Sequence, residues 1–313
     1  GSGTISVIDP ETDNVVNTIS LPAGTHFPEP MYVVIQPFSK RVFVGDRANN
    51  RITVFSNHDF QPDTTINVGN GVFHMWSDFF GKQLWVVNDV DKTLSVINTH
   101  TLENLATVPI PADLAARNGF PHDVIVSASG YLAYVSVFGV DGPNDFIIQY
   151  YTPDFTEIGR AAVGKEAHLS MNYADDYLYV PCQLSNKTFI IDRFSMKVTD
   201  SAETPGAHGA GMLLKGGIFY TTNAPGGGYQ GIHILETKSR TVIGSVDTPF
   251  PVPHNISLSL GGLKLYVTHS GPASDKVSVY EIDHDSKLPY FIKEITVGSN
   301  PYGISHVFWD GTS

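Results

Sequence analysis

The sequence predicts an all-β, seven-bladed β-propeller built as a single domain over residues 1–313, and three observations carry that prediction. A strand phrase recurs six times at a spacing of about 40–48 residues, the length of one four-stranded blade. Short apolar stretches alternate with period two, punctuated by Gly, Pro, Asn and Asp, with almost no helical periodicity. The chain also begins and ends inside a repeat, so its two ends together complete one more blade.

The chain opens on Thr4-Ile5-Ser6-Val7-Ile8-Asp9, an alternating strand of an incomplete repeat. The recurring phrases follow: Val42-Phe43-Val44-Gly45-Asp46, Leu84-Trp85-Val86-Val87-Asn88, Ala133-Tyr134-Val135-Ser136-Val137, Leu178-Tyr179-Val180-Pro181-Cys182, Phe219-Tyr220-Thr221-Thr222-Asn223 and Leu265-Tyr266-Val267-Thr268-His269. Each is preceded by a short apolar strand and a turn, such as Ser127-Ala128-Ser129-Gly130. Each is followed by another alternating strand, as in Thr93-Leu94-Ser95-Val96-Ile97, and then by a fourth segment ending near Gly or Pro. Pro111 to Arg117 reads as a helical turn within a loop. The final segment, Pro301-Tyr302-Gly303-Ile304-Ser305-His306-Val307, opens the repeat that the N-terminal strand completes, which removes two sheet edges. The second strand of that blade is not evident, so three strands are expected there.

Composition narrows the function. A formal charge of -12 argues against nucleic acid, which attracts clustered Lys and Arg, and against an anionic membrane surface. No apolar run reaches the roughly 18 residues of a membrane-spanning helix, so no membrane insertion is expected. The single cysteine, Cys182, allows neither an internal disulfide nor a cysteine-based zinc motif. The start Gly1-Ser2-Gly3 reads as trimmed or as a tag remnant, and no signal peptide is present. With the sequons Asn186-Lys187-Thr188 and Asn255-Ile256-Ser257, the expectation is an exported protein: periplasmic, cell-surface or secreted.

The repeated phrases resemble the YVTN-repeat propellers, whose motif Tyr266-Val267-Thr268 nearly spells, and the resemblance covers the whole chain. It implies the fold rather than a reaction, since one scaffold carries many functions.

In a propeller the innermost strand of each blade lines the central channel. The residue that opens it is His74 in Val72-Phe73-His74-Met75, His122 in Phe120-Pro121-His122-Asp123, and His168 in Glu166-Ala167-His168-Leu169. It is His208 in Gly206-Ala207-His208-Gly209, His254 in Val252-Pro253-His254-Asn255, and Tyr302 in the terminal blade. In the first repeat it is Met31 or Tyr32, with His26 in the loop before. His269 is expected on the same face, Cys182 at the matching position two blades away, and His306 deeper in the channel. His58, His100 and His284 are expected at the opposite face, and His233 in an outer strand. Crowded neutral imidazoles are good ligands and poor neighbours, because protonating one disfavours protonating the next.

The expected metal set is therefore His74, His122, His168, His208 and His254, with His26 and His269 as further members. An imidazole-rich set favours a transition metal, copper first, with zinc or iron as alternatives, over calcium or magnesium. The histidine ring resembles the copper-binding propellers of nitrous oxide reductase and thiocyanate dehydrogenase, and less closely the iron site of carotenoid-cleaving oxygenases. That resemblance implies a metal-dependent oxidoreductase. The chain lacks an attached electron-transfer domain and a paired His-His.

Two alternatives stand beside it. Arg47 or Arg117 would hold a carboxylate-bearing small-molecule substrate, with a histidine and Tyr302 as base and acid, in a polysaccharide lyase or lactone-processing enzyme. A non-catalytic propeller binding a partner on its surface is the other. Asp89 or Asp123 is placed to orient a ligating imidazole. Gly226-Gly227-Gly228 is no phosphate loop, because no helix follows it. Cys182 reads as a buried filler.

Overall fold

A computed structural model describes residues 1–171, 176–209, 212–214, 217–223, 231–259 and 261–306. It is an all-β propeller. Six four-stranded antiparallel sheets follow one another, each with its strands in chain order from the inside outwards. The inner strands are Pro30–Gln36, Val72–Ser77, Phe120–Val126, Ser170–Met171, Met212–Leu214 and Pro253–Leu258. A two-stranded sheet, Thr4–Asp9 paired with Asn14–Ser20, holds the seventh position, with the segment Pro301–His306 running inside it. Ala112–Ala115 is a single helical turn in a loop, where Leu114 is buried.

The strand sequences explain the order from axis to rim. Second strands such as Gln83–Asn88 and Lys264–His269 are buried on both faces and carry the large apolar side chains. Outer strands such as Pro62–Asn67 and Asn14–Ser20 are mostly exposed, and their Thr, Asn and Asp side chains suit a wet sheet edge. Trp85, Tyr134, Tyr179, Tyr220 and Phe43 are fully buried along the second strands, where each packs between sheets.

Closure is made by side chains from both halves of the chain. The buried Asp13 accepts a hydrogen bond from Tyr266 Oη at 2.5 Å and pairs with Lys264 Nζ at 2.7 Å. On the other side, Gly303 N–H donates to Met31 O at 2.8 Å. The N-terminal hairpin is thereby tied to the sixth sheet and the terminal segment to the first. Asn255, in the second sequon, is buried, and its side-chain amide donates to Tyr302 O at 3.1 Å.

Candidate functional site: a histidine cluster at the channel mouth

The site is built by a repeated irregularity. In four blades the ladder register slips where the inner strand opens, between Pro30 and Val33, Val72 and Met75, Pro121 and Val124, and Pro253 and Ile256. Each slip sets two inner-strand residues against one on the second strand, a β-bulge that re-aims side chains. The N–H freed by the bulge is met from the second strand: Asp123 donates to Ser136 Oγ at 2.9 Å, and Asn255 to Thr268 Oγ1 at 3.0 Å. In the fourth and fifth blades the bridges Ala167–Cys182 and Ala207–Asn223 mark the same height. There His168 N–H donates to Pro181 O, and His208 N–H to Thr222 O.

This register corrects one expectation. Phe73, not His74, is the first bulge residue of its blade, at the station of His122 and His254. His74 lies one residue further along, level with Tyr32, Asp123 and Asn255. The mouth therefore has two tiers. In the first, ring centroids follow one another from Phe73 to His122 at 4.8 Å, to His168 at 4.9 Å and to His208 at 4.5 Å. The circuit continues to His254 at 4.8 Å, to Tyr302 at 4.1 Å, and back to Phe73 at 5.9 Å. In the second tier Tyr32 lies against His74 at 3.8 Å.

His74 sits against two first-tier rings, His122 at 5.3 Å and His168 at 6.5 Å between centroids. One ligand nitrogen from each of His74, His122 and His168 falls within 4.8 Å of the others. Two nitrogens bound to one ion at about 2.0–2.1 Å lie at most about 4.2 Å apart, so the rings must draw in by a fraction of an ångström. Two tiers give the trio depth, so the nitrogens converge from three directions rather than from one flat ring.

Second contacts fix the rings. Asp123 Oδ1 lies 3.0 Å from His74 Nδ1, and its carboxylate also accepts from Val124 N–H at 2.8 Å and Leu169 N–H at 2.9 Å. With Nδ1–H given to Asp123, the lone pair of His74 sits on Nε2. The buried Nε2 atoms of His74 and His168 have no hydrogen-bond partner among the described residues. His122 stacks flat on Phe138, centroids 3.9 Å apart, and His208 Nδ1 meets Gln183 Oε1 at 2.7 Å. A Cβ on Gly209 would come within 3.0 Å of His168 Nδ1, so glycine leaves that ring its place.

Burial keeps the four first-tier imidazoles neutral. The His122 and His168 rings titrate well below the ordinary histidine range, first through desolvation and then through neighbouring histidines; His254 behaves alike. His208 is lowered to about 4, again chiefly by burial. Burial raises the Tyr302 hydroxyl, which stays protonated at neutral pH.

The remaining expected residues divide. His26 is exposed on its loop, where its backbone N–H donates to Asn49 Oδ1, so the structure does not bring it into the cluster. His269 is also apart: it is fully buried with Nδ1 at 3.1 Å from Pro251 O and Nε2 at 2.7 Å from Ser278 Oγ, so both nitrogens are taken. Arg47 borders the mouth, its guanidinium 5.4 Å from the Phe73 ring and paired with Asp89 at 3.0 Å. Arg117 instead packs over Phe146 and donates to Asp141 O. His306 lines the cavity beside the terminal segment. His58, His100 and His284 are exposed, and His233 is buried between Ser245 and Pro205. Cys182 is buried and its thiol is pushed far up, as fits a filler. The Gly226–Gly228 run lies outside the described residues.

Sequence reasoning missed Phe73 and the full part of Asp123. A signal for the second tier was present: the stations His122 and His254 are each followed by a polar residue, Asp123 and Asn255, at a buried position.

Comparison with known proteins follows the same lines. The structure resembles hydrazine synthase of Kuenenia stuttgartiensis, with a TM-score of 0.71, 14% identity, and 91% of this chain and 92% of that chain covered. It resembles a functionally unknown protein of Desulfotomaculum acetoxidans, with a TM-score of 0.68, 18% identity, and 83% and 80% coverage. The WD40 repeats of RRP9 give a TM-score of 0.71 at 10% identity, with 90% and 84% covered. At such identities these likenesses show the propeller fold alone. No curated protein matches the sequence. A family model described as lactonase, seven-bladed β-propeller, matches residues 22–214, a span that holds the first four complete blades and reaches the inner strand of the fifth. With well over half its length under that model, the chain belongs to the seven-bladed β-propeller lactonase family.

Proposed function

We propose that the channel mouth binds a transition-metal ion through His74, His122 and His168, with copper favoured over zinc or iron. The observation that carries this reading is the trio of imidazoles within 4.8 Å, two of them with a buried, unpartnered Nε2. A buried polar atom without a partner costs about 1–3 kcal/mol, and a metal ion is what these two nitrogens, with one from His122, can donate to together. Imidazole donors suit copper, zinc and iron, and copper leads the general affinity order; a carboxylate enters only behind His74, where it orients the ring. A bound ion would supply a Lewis acid and, as copper, a one-electron couple.

Elemental analysis of tag-free protein after copper, zinc and iron loading tests the proposal. About one equivalent of copper, lost in His168→Ala and kept in His100→Ala, is the expected result. Equal loss in both variants, or less than about 0.2 equivalents of any of the three, would refute it.

A second reading rests on family membership together with Arg47 and Tyr302 at the same mouth. Here the site opens a lactone ring. Neutral His122, half-buried and facing the mouth, takes a proton from water that adds to the lactone carbonyl. The ring C–O bond breaks, and Tyr302, kept protonated by burial, gives a proton to the leaving oxygen. Arg47 holds the carboxylate. Hydrolysis of a panel of γ- and δ-lactones, before and after chelation, separates the readings. Activity that survives full metal removal and falls in Tyr302→Phe supports metal-free ring opening; none with any lactone excludes it.

A further inference from the structure

Arg47, at the rim of the mouth, is built in more firmly than a solvated loop residue. It opens the single turn Arg47–Asn49 after the second strand of the first blade, and its own N–H donates to Glu29 O at 3.0 Å. Its guanidinium lies 5.4 Å from the centre of the Phe73 ring, which in turn touches His74 at 5.1 Å and His122 at 4.8 Å. Two contacts hold it there, Nη1 to Val72 O at 3.2 Å and Nη2 to Asp89 Oδ1 at 3.0 Å. A Cβ on Gly71 would collide with that Asp89 oxygen, and Gly71 takes a φ of +83°, so glycine is what lets the carboxylate reach the arginine. A guanidinium has five N–H donors. Two are used here, and the others have no hydrogen-bond partner among the described residues. Tyr302 stands on another side of Phe73, 5.9 Å between ring centroids. Among the described residues its carbonyl oxygen accepts from Asn255 and Thr268, and its hydroxyl has no partner. The charge of Arg47 is felt at both His122 and Tyr302, so the three groups share one small space.

We infer that the substrate of the metal centre is a short organic acid, its carboxylate anchored by Arg47 and Tyr302 beside Phe73 and its other end at the His74, His122 and His168 trio. The inference rests on the metal reading for what that other end meets; the anchor stands on its own contacts. Unused donors and one positive charge call for an anion, since a neutral ligand would gain the hydrogen bonds without the charge. The planar fork of the guanidinium matches a carboxylate better than a spherical ion. The acid is short because a single aromatic ring separates the anchor from His74 and His122. The formal charge of -12 repels anions from the molecule as a whole, but exposed charges beyond a Debye length of about 8–10 Å are largely screened, so groups at the rim decide. The opposing group there is Glu29, exposed and acting on Tyr302.

The test uses the whole 313-residue chain, metal-free and copper-loaded in parallel, with lactate as the probe and lactamide as its uncharged counterpart. In metal-free protein the Arg47 Nε–H resonance should shift to saturation with lactate and stay still with lactamide. Arg47→Gln should weaken lactate binding by about tenfold or more, and Tyr302→Phe by about threefold. Glu29→Gln should strengthen it by about twofold, an effect that only an anionic ligand would show. In copper-loaded protein lactate should change the visible and EPR spectra of the metal. The same concentration should leave the spectra of Arg47→Gln unmoved, at equal copper content. Should Arg47→Gln fail to fold, Arg47→Lys takes its place, keeping the charge without the fork and binding about threefold more weakly. No lactate binding, equal affinity for lactamide, or affinity indifferent to the Arg47 change overturns the inference. Binding through Arg47 that leaves the copper spectra untouched overturns it too, because the acid then stops short of the trio. If copper does not load at all, the metal reading falls, and the metal-free titration still decides the anchor.

Discussion

Two sets of buried histidine in this molecule look alike by exposure and differ in what their nitrogens do. His233 and His269 lie in the sheets, and each ring nitrogen meets a hydroxyl or a carbonyl: Ser245 and Pro205 in one case, Ser278 and Pro251 in the other. His74 and His168 are comparably buried, yet each keeps one nitrogen without a partner among the described residues. The first set is ordinary core polarity, closed by its own hydrogen bonds. The second is an open valence. Burial alone does not mark a ligand; an unpartnered lone pair among others of its kind does.

The comparison breaks most sharply at the metal. His168→Ala should weaken copper binding by more than about 100-fold, exceeding the usual cost of losing a supporting contact, whereas His269→Ala should leave it unchanged. Competition against a chromogenic chelator reads both. The opposite pattern, with His269 controlling metal content, would erase the distinction between the two sets.

Stability should sort the same pair the other way. His269→Ala strands Pro251 O, leaves Ser278 Oγ with Tyr280 Oη alone, and opens a cavity, at a cost of about 3 kcal/mol. In metal-free protein, His74→Phe should cost less than His269→Ala, because it removes an unsatisfied nitrogen while keeping a ring against Tyr32. Denaturant titration of both variants provides the measurement.

A smaller effect tests the carboxylate. Asp123→Asn keeps an acceptor for the Val124 or Leu169 amide but no longer holds the charge beside His74 Nδ1. Copper affinity should drop by about tenfold, the low end of what orienting partners contribute. An unchanged affinity would make Asp123 purely structural.

The mildest test is pH. The His208 ring is lowered to about 4 in the folded protein, and burial holds His122, His168 and His254 well below the ordinary histidine range. A histidine depressed in the native state binds protons more readily when unfolded. Its contribution to stability is therefore complete above about pH 6.5 and is lost as pH falls towards the folded value. Metal-free protein should lose stability between pH 6.5 and 4, and His208→Gln should flatten that slope by at most about 1.4 kcal/mol per pH unit. A slope that the variant does not change would place the responsible groups elsewhere.

The repeat made most of the fold legible, because each second strand is a run of buried apolar residues whose period and punctuation survive in the sequence. The stations His122, His168, His208, His254 and Tyr302 could be read from the same alignment. The one-residue displacement of His74 could not. Val72-Phe73-His74 offers two rings in succession, and only the ladder pairing shows which one faces His122. His269 was misplaced for a related reason: the end of a second strand lies near the mouth, but its side chain turns into the sheet towards Ser278. Arg117 and Arg47 are both loop arginines in sequence, and their different partners, Asp141 and Asp89, come from tertiary packing that no local pattern encodes.

The recurring bulge has a consequence for how such a mouth changes over time. It aims a side chain inwards through backbone pairing alone, with the freed N–H answered by a hydroxyl on the adjacent strand, as at Ser136 and Thr268. The aim is thus independent of which side chain is carried. Phe73, His122 and His254 are interchangeable fittings on one mount, and substituting any of them alters the chemistry of the opening while the strands behind keep their register. A catalytic inventory can be exchanged position by position, like type in a fixed frame, with no folding penalty beyond the side chain itself.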